Sequence, residues 1–291
     1  MNAPARIDGE TRLAGVLGWP VAHSRSPRLH NFWLAQYGIN GAYLPLPVRA
    51  EHFVEAVKGL VRLGFAGANV TVPHKEAAFA LCDRADESAQ KAGAANTLVF
   101  TPAGEIHGSN TDGFGFIEAL RAGAPGFDPA KGAAVVLGAG GSARAVVQAL
   151  IAAGAPEVRL VNRTPERAER LAAALGGPIR CLAWAEAPRA LAGAALLVNT
   201  TMLGMKGQPP LPLDLAALPK SAPVNDIVYV PLETPLLRAA RAGGHPAVDG
   251  LGMLLHQARA GFRAWFGRDP EVTDALRRHV AADLIAEMER A

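Results

Sequence analysis

Two rhythms of apolar and polar positions interleave along this chain. Short apolar runs closed by glycine or proline read as buried strands, and longer stretches with apolar residues at every third or fourth position read as helices. Leu13-Ala14-Gly15-Val16-Leu17, closed by Gly18 and Pro20, predicts a strand. Ser26-Pro27 then predicts a helix over 27–37, with Ser26 as N-cap and Pro27 at the first helical position, where its fixed φ and missing N–H cost nothing. GAYLPLPV, EHFVEAVKGLVRL, GANVTVP, a helical stretch from Lys75, NTLVF and EIHGSN continue the alternation. Strands separated by helices of this length predict a mostly parallel sheet with helices on its faces.

The pattern restarts near Gly113. GFGFIEALRA reads as a connecting helix, and AAVVLGAGGSARAVVQAL opens a fresh βαβ unit that runs through VRLVNR, ERAERLAAAL, ALLVNT and VNDIVYV to PAVDG. From Leu251 onward two helical segments have no strands of their own, so they are expected to pack back on the first domain. The predicted fold is α/β with two domains: residues 1–112, completed by helices over 251–291, and a Rossmann-type dinucleotide-binding domain over 113–250.

Composition narrows the function. At 291 residues, half of them apolar, the chain can bury two cores. A formal charge of only +3, with no basic block interleaved with aromatics, argues against nucleic acid as a partner. The opening MNAPARIDGETR lacks the apolar core of a leader, and no later run reaches the roughly 18 apolar residues of a membrane span, so a cytoplasmic protein with no membrane partner is expected. Cys82 and Cys181 stand far apart, without CxxC or a neighbouring His cluster, which predicts reduced structural thiols. The alanine-rich stretches are helical by propensity, and no internal repeat is present.

Three constellations carry chemistry. In GWPVAHSRSPRLHN, residues 18–31, Ser24 and Ser26 sit at a strand-to-helix turn beside free backbone N–H groups; this is either a site for a small carboxylate or an ordinary capped turn. Gly138-Ala139-Gly140-Gly141-Ser142-Ala143 is a G-x-G-x-x-A pattern between a strand and a helix. Gly138 permits the tight turn, Gly140 lets a pyrophosphate approach, and Ala143 allows close helix–strand packing. An NAD site carries an acid roughly 20 residues further on. Here the positions read Asn162-Arg163-Thr164, with Arg167 one turn later, and guanidinium groups favour the 2′-phosphate of NADP unless they merely begin a solvated helix.

The third constellation is GANVTVPHKE, residues 67–76, which delivers Thr71 and Lys75 to the C-terminal end of a strand, with Asn69 and Thr71 expected on one face. Asn96 falls near a strand start, and Asp112 at the junction between domains. A lysine and an aspartate at neighbouring strand ends can position a hydroxyl and relay its proton, although a lone lysine there is more often a surface cap. His23, His30, His74 and His256 lie in or beside these motifs but lack metal-ligand spacing, and no metal is expected.

These motifs together resemble the shikimate dehydrogenase family over nearly the whole length: GWPVAHSRSPRLHN the substrate loop, GANVTVPHKE the lysine motif, NTDG the aspartate motif, GAGGSA the cofactor turn, NRT the NADP clamp and DGLGMLLHQA the C-terminal motif. The resemblance implies an NADP-dependent oxidoreductase of aromatic amino-acid biosynthesis that interconverts 3-dehydroshikimate and shikimate. It implies that Ser24, Ser26 and Thr71 hold the substrate carboxylate with Tyr229 closing over it, that Asn96, Asp112 and Gln257 hold ring hydroxyls, and that Lys75 is the acid–base group working with Asp112. It adds Thr200, Met202 and Gly250 to the cofactor-binding residues, and leaves monomer and homodimer both open. Two positions depart from the family pattern: Met202 replaces a small serine in the loop lining the nicotinamide, either narrowing that pocket or filling an apolar gap, and Ala95 replaces a larger apolar residue. Two other readings are weighed against this one: a quinate or shikimate dehydrogenase using NAD, disfavoured by Arg163, and a catalytically silent cofactor-binding scaffold, disfavoured by the presence of Lys75 and Asp112.

Overall fold

The computed structural model describes residues 7–288. The polar opening over 1–6 and the last residues of the expected C-terminal helix, 289–291, lie outside the described residues. The chain divides into two units, one running up to Thr111 and taking up Gln257–Ala282, the other comprising Asp112–His256 and resuming at Asp283.

The first unit contains β1 (Arg12–Gly18), α1 (Ser26–Tyr37), β2 (Gly41–Pro47), α2 (Phe53–Arg62), β3 (Gly67–Val70), α3 (Lys75–Ala80), β4 (Arg84–Ala85), α4 (Glu87–Ala92), β5 (Thr97–Phe100) and β6 (Ile106–Ser109). Its sheet has the order β2-β1-β3-β5-β6-β4. All pairings are parallel except those of β5, which is antiparallel to both β3 and β6. That reversal matters for the site, because it turns the start of β5 towards the edge where β1, β3 and β6 end. The core on one side includes Leu17, Phe53, Val57, Ala68, Val70, Leu98 and Phe100.

The second unit holds α5 (Asp112–Gly123), β7 (Ala133–Leu137), α6 (Gly141–Ala152), β8 (Val158–Asn162), α7 (Pro165–Leu175), β9 (Ile179–Ala183), α8 (Ala187–Ala190), β10 (Ala194–Asn199), β11 (Val224–Asp226), α9 (Pro235–Ala242) and β12 (Ala247–Val248). The sheet is wholly parallel, with the order β12-β11-β10-β7-β8-β9. This is the doubly wound order in which the connections leave in opposite directions from β7 and β10, and a ligand crevice opens at the carboxyl ends of those two strands. Buried apolar clusters cover both faces, as parallel strands require.

Two helices close the chain, α10 (Gly250–Phe266) and α11 (Asp274–Met288). They do not return whole to the first unit as the sequence suggests: residues 250–256 and those from Asp283 belong to the second. Close packing accounts for the first part, since a Cβ on Gly250 would stand 2.0 Å from the Ile227 carbonyl oxygen and one on Gly252 3.0 Å from the Ala119 side chain. At the far end Lys206 pairs with Glu287 at 3.2 Å. The middle stretch packs into the first unit through rings: Phe262 and Trp265 join His30, Trp33 and Tyr43, and Trp265 Nε1 donates to the Leu98 carbonyl at 2.9 Å.

Candidate active site

In the first unit the carboxyl edge of the sheet is drawn together by backbone. Thr71 N donates to Leu17 O at 2.9 Å, Trp19 N to Val72 O at 3.1 Å, Val70 N to Asn96 O at 2.8 Å and Asn96 N to Ser109 O at 3.0 Å. Gly18 has no side chain because the Thr71 methyl occupies that space, 2.5 Å from where its Cβ would lie. The turn after β1, the turn after β3, the start of β5 and the end of β6 thus share one edge.

Ser24 and Ser26 stand on the first of these turns, but Ser26 is not the N-cap. Arg25 occupies that position without a capping bond from its own side chain, and Ser26 is the buried first helical residue, its N–H donating to Ser24 Oγ at 3.3 Å. Proline still fits, because the first-turn N–H groups lack partners within a helix. Arg25 is itself buried and donates to the Val280 carbonyl at 2.7 Å, anchoring the turn to α11, a contact with no local signal in the sequence. Thr71 lies just beyond β3 and so does not share a strand face with Asn69; it is half-buried, whereas Asn69 is buried. Lys75 is the first residue of α3, and its carbonyl accepts from Ala95 N at 2.9 Å, which ties the lysine turn to the segment carrying Asn96.

Behind this edge runs a buried polar chain that the sequence did not announce. Tyr43 OH donates to Asn69 Oδ1 at 2.7 Å, and Asn69 Nδ2 donates to Asn96 O and Thr97 Oγ1, both at 3.1 Å. Thr97 Oγ1 donates to Asn96 Oδ1 at 2.9 Å, which also accepts Thr111 N at 2.9 Å. Thr111 Oγ1 and Asn96 Nδ2 reach Gln257 Oε1 at 3.2 and 3.5 Å. The donors facing the two amide oxygens fix which way Asn96 and Gln257 point. Burial pushes the Tyr43 phenol well above its ordinary pKa, with Ser26 pulling in the other direction.

Two of the histidines near these motifs, His30 and His74, are packed into the interior of the first unit. His30 is enclosed by rings, stacked on Tyr43 at 4.0 Å, and burial lowers its pKa to about 3. His74 is buried on Phe53 with Nε2 2.8 Å from the Val48 carbonyl. Among the described residues no group of three His, Cys, Asp or Glu side chains could hold a metal ion.

In the second unit the glycine turn joins β7 to α6 at the switch point. Gly138 has φ +104°, and a Cβ there would meet Thr200 Oγ1 at 2.8 Å, so conformation and packing both demand glycine. Gly140 and Gly141 are different: a Cβ on either would meet no protein atom within 4 Å. Packing therefore does not account for their bare backbone, which leaves the N-terminus of α6 open to an anionic group. Ala143 is fully buried, Ser142 half-buried, and Ala139 packs partly into the core.

After β8, Asn162 Nδ2 braces the turn by donating to Thr164 O at 2.8 Å, while Arg163, Thr164 and Arg167 are exposed and no carboxylate stands at the strand end. Thr200 donates its hydroxyl to Leu137 O at 2.6 Å, so it shapes the wall beside the glycine turn. Met202 is 64% exposed and fills no apolar gap in the protein. Gly250 is buried against Ile227, and Tyr229 is half-buried beyond β11. Asp112 is the buried first residue of α5.

A doubly wound parallel sheet with this turn defines a dinucleotide-binding domain, here joined to an α/β unit with a polar sheet edge. Comparison with known families agrees. Residues 16–98 match the shikimate dehydrogenase substrate binding domain, 126–204 match shikimate / quinate 5-dehydrogenase, and 250–280 match the shikimate 5'-dehydrogenase C-terminal domain. The shikimate dehydrogenase (NADP(+)) of Paramagnetospirillum magneticum is 62% identical over 274 residues, 94% of this chain and 99% of that protein. Among solved structures, the shikimate 5-dehydrogenase of Thermus thermophilus in complex with NADP(H) and shikimate is 40% identical with a TM-score of 0.82, covering 94% of this chain and all of that one. The quinate dehydrogenase of Corynebacterium glutamicum in complex with NAD is 31% identical with a TM-score of 0.86, covering 95% and 99%. The chain belongs to the shikimate dehydrogenase family.

Proposed function

We propose that this chain interconverts 3-dehydroshikimate and shikimate with NADP as the hydride partner, the first unit binding the substrate and the second the dinucleotide. The reading is supported above all by the shared edge of the first unit, where the turns carrying Ser24, Ser26, Thr71 and Lys75 are tied by backbone hydrogen bonds to one another and to the start of the reversed β5, and Asn96 there meets Gln257. Ser24, Ser26 and Thr71 offer hydroxyl donors to a carboxylate. Asn96 and Gln257, linked to each other and to Thr97 and Thr111 along that edge, are assigned to the ring hydroxyls. Gly138 to Ala143 receive the pyrophosphate, Arg163, Thr164 and Arg167 the 2′-phosphate, and Thr200, Met202 and Gly250 border the nicotinamide half, with Tyr229 assigned to the substrate.

When bound, the nicotinamide supplies or takes the hydride. In the reductive direction the Lys75 ammonium donates a proton to the carbonyl oxygen as the carbon becomes tetrahedral; in the oxidative direction the amine takes the hydroxyl proton. Asp112 is assigned to the same substrate hydroxyl, as a hydrogen-bond acceptor. The protein works in the cytoplasm, as a monomer or homodimer. Among the described residues no helix is long and apolar enough to cross a membrane, and both thiols are unpaired, that of Cys82 raised by burial to a pKa of about 11.

The test is a set of four rates, shikimate and quinate each with NADP and NAD, followed by nicotinamide absorbance. Fastest turnover with shikimate and NADP is expected. Preference for quinate and NAD would move the chain to the specificity of its Corynebacterium neighbour, and four null rates would make it a silent scaffold.

A further inference from the structure

A second buried polar cluster lies at the carboxyl edge of the second unit, and none of the roles above uses it. Its centre is Asp226, the last residue of β11, fully buried. One carboxylate oxygen accepts from Asn199 Nδ2 at 3.0 Å and from Val228 N at 3.1 Å; the other accepts from the Thr234 hydroxyl at 2.7 Å. Each donor belongs to a different segment. Asn199 ends β10, Val228 begins the stretch that leads to Tyr229, and Thr234 caps α9 by accepting from Leu237 N at 3.3 Å.

Asn199 carries the connection forward. Its Oδ1 accepts from Thr201 N at 3.0 Å and Thr201 Oγ1 at 2.7 Å, its Nδ2 also donates to Leu203 O at 3.2 Å, and Thr201 Oγ1 accepts from Leu203 N at 3.1 Å. The loop that carries Thr200 and Met202 is thus folded around the Asn199 amide, and that amide is oriented by Asp226.

The acid is an expensive choice for a purely structural post. Its hydrogen-bond partners are all neutral, and burial raises its pKa to about 6 against the pull of those three donors. What a carboxylate offers is geometry: two oxygens that accept three hydrogen bonds and donate none, so three donors from three segments converge on one group. We propose that Asp226 is a positioning residue that holds the loop over 199–203 and the segment leading to Tyr229 in register for the nicotinamide half of the dinucleotide. The proposal rests on the functional reading above, in which that loop borders the nicotinamide.

The test compares two ligands on the full chain: NADPH, which reaches the loop, and adenosine 2′,5′-bisphosphate, which carries only the half read by Arg163 and its neighbours. Asp226→Ala is expected to weaken NADPH about tenfold, within the range of couplings carried by such networks, while bisphosphate binding stays within about twofold. Asp226→Asn keeps an oxygen for Asn199 and Val228 and should recover most of the NADPH affinity. Thr201→Val cuts the chain one link further out, and should reproduce the split more weakly even if the alanine variant does not fold. Equal losses for both ligands, or unchanged NADPH affinity in both Asp226→Ala and Thr201→Val, would overturn the proposal. Failure of the functional reading shows instead in the parent, as an absence of binding by both ligands.

Discussion

The turn after β1 and the turn after β7 do the same mechanical job, passing the chain from a strand end to a helix start, and they are built from opposite materials. The second is bare backbone: Gly140 and Gly141 leave open space above the N-terminus of α6, and only Gly138 is constrained by its neighbours. The first is made of side chains, with Ser24, Ser26 and the buried Arg25 held by contacts that reach as far as α11. A backbone site accepts any group of the right shape and charge, which suits a pyrophosphate common to many enzymes. A side-chain site reads the particular arrangement of one small ligand, and needs distant parts of the chain to hold it.

If function in the first unit lives in side chains, deleting one reacting group should be the most damaging change. Lys75→Ala is expected to lower kcat by about 10²–10⁴, the usual worth of a positioned acid–base group, with a smaller change in shikimate binding. Asp112→Asn should impair both, and the double variant should be little worse than the poorer single one. Near-normal turnover in Lys75→Ala would remove the lysine from the chemical step.

Glycine substitutions probe the other side of the comparison. Gly138→Ala forces a side chain to φ +104° and onto Thr200, and should cost about 1–3 kcal/mol of stability, lowering Tm by several degrees. Gly140→Ala meets no protein atom and should leave Tm nearly unchanged while weakening NADPH about tenfold. If Gly140→Ala binds NADPH normally, the open backbone is not a ligand surface.

The second unit's buried acid adds a pH signature opposite in sign to that of the first unit's buried His30, whose lowered pKa makes acid destabilising there. Asp226 has a folded pKa raised from 3.8 to about 6, so protonation favours the folded state. Its contribution is fully present below pH 3.8 and is lost as pH rises towards 6 and beyond, by about 3 kcal/mol from a shift of roughly two units. Urea midpoints measured across that window should fall more steeply in the parent than in Asp226→Asn. Parallel profiles would contradict the assignment.

Arg163→Asp comes next, replacing the exposed arginine proposed to hold the 2′-phosphate, just beyond β8, by a repelling charge. The KM for NADP should rise about ten- to a hundredfold, with much less change for NAD. Equal NADP affinity in variant and parent would take the 2′-phosphate away from this residue.

The two turns also differ in how far the sequence reveals them. The glycine turn is legible because every determinant is local: an apolar strand, three small residues and a helix start within about a dozen positions. The half-exposed edge strand Ile179–Ala183 escapes a reading by apolar runs, since it presents no continuous one. The cap at Ser26 lies one position from where residue types alone put it, as helix ends often do. The chain from Tyr43 to Gln257 is not legible at all. It exists because β5 runs backwards with Asn69 opposite Thr97 and Thr97 opposite Ser109, a register set by the tertiary fold. The split of α10 between units likewise depends on Gly250 and Gly252 fitting against Ile227 and Ala119, contacts that no short window contains.

The smallest expected effects fall on the serine turn, and they decide whether it is a site or only a turn. Because Ser26 is not the N-cap, Ser26→Ala should not carry the roughly 1 kcal/mol capping loss that its place before Pro27 suggests, and Tm separates the two cases. Ser24→Ala removes the acceptor for Ser26 N–H and should cost about 0.5–1.5 kcal/mol on its own. On shikimate binding both variants should lose about tenfold or less, one neutral donor to a carboxylate each, with NADPH binding intact. A loss of stability without a loss of shikimate affinity in either variant would make the turn structural. The side-chain half of the comparison would then rest on Thr71, Lys75, Asn96 and Gln257, and the substrate carboxylate would need another cradle on that same edge.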